Sequence, residues 1–256
     1  MALTPRDPWY GLNSQTPARI AIGRAGNSLP TREVLEFSMA HARARDAVHA
    51  PFDRDRLAAE VAELGLQTIS VDSQATDRAV YLRRPDLGRR LDTSSRSQLQ
   101  LLATTNRPSL AIVVADGLSA AAVDAHALDL IKALLGHTVE LGLGDTPIVL
   151  AMGARVALGD EIGGLIGAEL VAVVIGERPG LSAFDNLSIY LTYDPAVGRT
   201  DAERNCISNI GQGRLTPIAA AGNLAWLVNA ARKRKLTGVS LKDESSTNLM
   251  MPHEKP

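Results

Sequence analysis

The sequence predicts an α/β fold, with a mostly parallel sheet and flanking helices in a Rossmann-like three-layer arrangement, plus an N-terminal helical extension. Three observations point there. Uninterrupted apolar runs of strand length at 109–116, 146–153 and 170–176 are bounded by turn residues, as expected for strands buried on both faces of a parallel sheet. Ala- and Gly-rich stretches of helical length separate these runs, so strand and helix alternate at the spacing of right-handed crossovers. Residues 31–65 read as helix alone.

The elements follow in order. Residues 1–30 are punctuated by Pro, Gly and Asn and read as an irregular arm. Thr31 is a candidate N-cap for a helix to about His49. Asp53 is a candidate cap for a second helix, with Leu57, Val61 and Leu64 on one face and Gly65 as its stop. Residues 66–71 alternate and read as a strand. Pro85 and Gly88 make 81–91 a structured loop or short helix, and a helical stretch ends at 99–105. After the strand at 109–116, Ser119 sits at the start of an Ala-rich helix to about Glu140. The strand at 146–153, a short helix at 160–167 and the strand at 170–176 follow. Residues 187–193 form a fourth strand, rich in β-branched and aromatic side chains. A helix from Pro217 to Arg234 has Pro in its first turn and a basic end. The expected division is an arm and helical extension over 1–65, an α/β domain over 66–235 and a disordered tail over 236–256.

Composition narrows the function. The 256 residues carry 27 basic and 28 acidic side chains, for a formal net charge of −1. No strong field draws in nucleic acid or an anionic membrane. Aromatic residues are 4%, too few for a base-stacking platform. No apolar run reaches the roughly 18 residues of a membrane span, and residues 1–10 lack the apolar segment of a signal peptide. One cysteine, Cys206, permits neither an internal disulfide nor a zinc pattern. A reducing cytoplasm is the expected location.

In an open parallel sheet, ligands bind outside the carboxyl ends of the strands. The residues there are 116–119, 153–156, 176–180 and 193–195, and all four loops are expected to converge on one edge. They offer carboxylates, arginines and glycine backbone. Each also has a purely structural reading: Asp116 as a cap, Arg178 as a partner of Glu177 or Asp116, Ser119 as an N-cap. No complete catalytic set is present. The Gly-Leu-Gly at 142–144 precedes a strand and lacks a third glycine, and no phosphate-binding loop occurs. Ser119 lacks the Gly-x-Ser-x-Gly elbow. The five histidines do not cluster. Cys206 lies between a strand and the last helix, where a small buried apolar role is the ordinary reading. These residues describe a binding or accessory subunit, with a stand-alone α/β small-molecule-binding protein or enzyme using the strand-end edge as the alternative.

Four motifs go further. Tyr81-Leu-Arg-Arg-Pro-Asp-Leu-Gly-Arg-Arg-Leu91, Ala115-Asp-Gly-Leu-Ser119, Gly176-Glu-Arg-Pro-Gly-Leu181 and Asn205-Cys-Ile-Ser-Asn-Ile210 occur in that order. Together they resemble the small (light) subunit of ethanolamine ammonia-lyase, collinear over residues 18–237. The resemblance implies a subunit of an adenosylcobalamin-dependent carbon–nitrogen lyase that converts ethanolamine to acetaldehyde and ammonia by a radical mechanism. It implies a hetero-oligomer in which a large subunit, a TIM-type barrel, binds ethanolamine, and this chain, inactive alone, covers one side of the cobalamin. It assigns cobalamin contacts to Val156, Glu177 and Cys206, and no catalytic residue or metal ligand of the chain's own. The Asp-x-His-x-x-Gly loop is absent, so the resemblance implies a base-on cofactor. Some family members carry a long Ala/Pro-rich N-terminal extension associated with bacterial microcompartments. Here residues 1–17 precede the matching region, and a free cytoplasmic complex is expected at least as readily as an encapsulated one.

Overall fold

A computed structural model of the chain describes residues 7–16, 18–102, 107–144, 147–211 and 213–244. Six strands form one sheet: β1 (Thr68–Asp72), β2 (Leu110–Ala115), β3 (Ile148–Met152), β4 (Leu170–Gly176), β5 (Leu187–Tyr193) and β6 (Arg204–Ile210). Their spatial order is β1-β3-β2-β4-β5-β6. The first four in that order are parallel. β5 and β6 run antiparallel. The fold is therefore α/β with a mixed sheet, and the expected parallel arrangement describes only β1 to β4. The cause is local: the connection at 177–186 carries no helix, and without a crossover the chain turns back beside the strand it has just left.

The helices are α1 (Thr31–His49), α2 (Arg54–Glu63), α3 (Arg78–Arg83), α4 (Thr93–Leu102), α5 (Ala120–Leu135), α6 (Thr138–Leu141), α7 (Leu158–Ile166) and α8 (Pro217–Arg234). Asp53 caps α2 by accepting from Arg56 N, and Pro30 stands at the N-cap of α1, one residue before the expected Thr31. The strand alternation sorts side chains onto two faces. Ile112, Val114, Ala172, Val174, Ile189 and Leu191 join α2, α5 and α8 in one apolar cluster. Val113, Ala115, Val171, Val173 and Ile175 join Leu99 of α4 and Leu158 and Ile162 of α7 in the other.

β6 falls where the sequence suggested a loop. It is an edge strand with the burial of a half-covered surface, and a register shift opposite Leu187 and Ile189 leaves Ser208 and Asn209 facing one residue of β5. That is a β-bulge, and Asn209 occupies the left-handed region at φ 60°. Part of the expected tail is ordered: Gly238–Ser240 form a 3-10 turn, and Leu241 is buried against the core. Residues 245–256 of the expected tail and 103–105 of the expected helix lie outside the described residues.

Candidate functional site

The parallel strands share one carboxyl edge. From β2 the chain passes to β3 on one side, then to β4 on the other. The winding reverses between β2 and β4, the position where open α/β sheets bind ligands. The loops after these two strands are pressed together. Leu118 N donates to Gly176 O at 2.9 Å. Gly117 sits at φ 57°, and a Cβ on Gly176 would lie 2.7 Å from Asp116 O and closer still to Ser119 O. Neither position accommodates a side chain. The interlock sets the starting point of the loop that carries Glu177.

Asp116 serves this scaffold. Its buried carboxylate accepts from Gly117 N at 2.9 Å and Ala154 N at 3.1 Å, joining the loops after β2 and β3. Its ion-pair partner is Arg78, at 3.6 Å, and burial raises the carboxyl's pKa against these contacts. Ser119 is an N-cap, accepting from Ala122 N. Tyr81 is buried, donates to Ala154 O at 3.1 Å and lies under the Arg78 and Arg155 guanidiniums at 4.8 and 4.1 Å from its ring centre. Arg178 is exposed and makes no ion pair among the described residues. The loop at 193–195 does not reach this edge. Tyr193 pairs with Leu170, the first residue of β4, so the antiparallel run of β5 carries Asp194 to the opposite end of the sheet.

Two of the three residues singled out by the resemblance share a neighbour, Tyr190. The Tyr190 hydroxyl donates to Glu177 Oε1 at 2.8 Å, and Tyr190 stands directly opposite Cys206 in the β5–β6 register. Directly opposed residues share a face, so Cys206 lies at mid-strand on an open edge, not in a loop. It is exposed. Packing against its neighbours and the Glu177 charge raise its thiol pKa, and contacts from Tyr190 and Ser188 partly offset them. Burial, then the hydrogen bond to Glu177, raises the Tyr190 pKa. Val156 is half-buried in the loop between β3 and α7, two residues before the helix, and packs on the same apolar cluster as Tyr190. Tyr190 and Cys206 thus share a face of the sheet, and Tyr190 and Val156 pack against the apolar cluster that includes residues of α4 and α7. Tyr190 carries no motif of its own; only the antiparallel register of β4, β5 and β6 brings it between Glu177 and Cys206.

The ethanolamine ammonia-lyase light chain (EutC) family model matches residues 6–242. The chain belongs to this family. An ethanolamine ammonia-lyase small subunit of Bradyrhizobium diazoefficiens is 54% identical over 248 residues, covering 94% of this chain and 93% of the relative. One from Xanthomonas campestris pv. campestris is 51% identical over 251 residues, covering 96% and 91%. One from Pseudomonas fluorescens is 48% identical over 248 residues, covering 96% and 90%. Membership in the light-chain family makes the protein a lyase component. All four motifs fall within the matched region. Among the described residues, no helix is long and apolar enough to cross a membrane.

Proposed function

We propose that this light chain supplies one side of the adenosylcobalamin site of ethanolamine ammonia-lyase, while a large subunit holds ethanolamine. The observation that carries the reading is the Glu177–Tyr190–Cys206 grouping, with Val156 packed on the same apolar cluster as Tyr190. The residues fit the group. Glu177 is half-exposed, and among the described residues only one of its oxygens has a partner. The other is free to accept from the amide side chains of the corrin rim. Cys206, and Val156 on the apolar cluster against which Tyr190 packs, offer small apolar surfaces. This mixture of apolar wall and a few placed acceptors is what large amphipathic ligands require.

When bound, adenosylcobalamin supplies the radical chemistry that takes ethanolamine to acetaldehyde and ammonia. The residues of this chain bind and orient the cofactor and shield it from water. We assign 66–235 as the cofactor-contacting domain and 1–65 as an arm and helical extension. We place the complex in the cytoplasm, free or within a bacterial microcompartment. The test is turnover by purified chains with adenosylcobalamin and ethanolamine. Deamination requires both chains on this reading; turnover by this chain alone contradicts it.

A further inference from the structure

We infer that Tyr190 is a positioning residue for the cofactor site, holding Glu177 and Cys206 together as a single preset surface. The inference rests on the cobalamin reading above. Tyr190 is suited to the role from both ends. Its ring packs on the apolar cluster formed with α7, where Val156 also packs. Its hydroxyl reaches Glu177 at 2.8 Å. The ring is therefore fixed from below, and the hydroxyl is a stationary anchor for the carboxylate. A free glutamate samples several rotamers and surrenders them on binding. One already anchored through Oε1 surrenders fewer and presents Oε2 in a set direction, which is the advantage of preorganisation. Cys206 is tied to the same residue by register, so a shift of the Tyr190 ring disturbs both contacts.

The test is a double-substitution cycle on the co-expressed two-chain complex, titrated with adenosylcobalamin by absorbance. Tyr190→Phe keeps the ring and deletes the donor; cofactor binding is expected to weaken about three- to tenfold. Glu177→Ala is expected to weaken it as well, and the double variant to bind no worse than Glu177→Ala alone. If Glu177→Ala leaves affinity unaltered, the cobalamin reading itself fails. If Glu177→Ala weakens binding while Tyr190→Phe does not, or the two losses add in full, the reading stands and the role of Tyr190 is overturned.

Discussion

Arg204 and Asp160 form a two-pronged ion pair inside the protein, with Nη1–Oδ1 at 2.5 Å and Nη2–Oδ2 at 2.7 Å. Both side chains are at most 2% exposed. The pair ties β6, two residues before Cys206, to α7, four residues after Val156. Arg204 also donates to Thr192 Oγ1 and Arg199 O. A buried pair adds little net stability compared with apolar packing, but removing one partner strands a charge. Asp160→Ala is expected to cost about 3–5 kcal/mol. Denaturant unfolding measures it, and a loss below about 1 kcal/mol contradicts the assignment.

Gly176, in the interlock with Gly117, and Gly222, in α8, predict contrasting outcomes for alanine substitution. A Cβ at Gly176 meets backbone oxygens of Asp116 and Ser119, which cannot rotate away. Gly176→Ala is expected to cost about 3 kcal/mol or more. Gly222, inside α8, has open space where a Cβ would lie. Gly222→Ala is expected to gain up to about 1 kcal/mol from helix propensity. Melting curves of the two variants beside the parent chain decide both.

Glu203 predicts an acid dependence. Thr200 N and Oγ1 donate to its Oε2 at 2.8 and 2.9 Å, and Arg199 to its Oε1 at 2.7 Å. The Thr200 backbone hydrogen bond, then the Arg199 contact, lowers its pKa from 4.5 to about 2. A depressed carboxyl stabilises the folded state above its unfolded pKa, and that contribution disappears as pH falls through the folded value. The stability advantage over Glu203→Gln is therefore expected in full above about pH 5 and to shrink between about pH 4.5 and 2. Melting temperatures of both proteins across this range test it; a constant difference contradicts it.

Much of the fold was legible because its period is strong. The runs at 170–176 and 187–193 coincide with β4 and β5, and 217–234 with α8. Strand direction was not legible, since apolar alternation reads the same both ways and the missing crossover helix between β4 and β5 is a weak signal. β6 was hidden because an edge strand with a bulge buries only some of its residues. Within the site, Glu177 and Cys206 stood out through motifs, whereas Tyr190 looked like an ordinary strand aromatic. Asp116 looked like a ligand carboxylate because one of its backbone partners, Ala154, is contributed by the loop after β3, distant in sequence.

The central claim is that Glu177 on this chain contacts the cofactor. Spectrophotometric titration of the two-chain complex carrying Glu177→Ala with adenosylcobalamin tests it most directly. Loss of a charge-assisted hydrogen bond is expected to weaken binding about tenfold or more. Affinity equal to that of the parent complex would contradict the account.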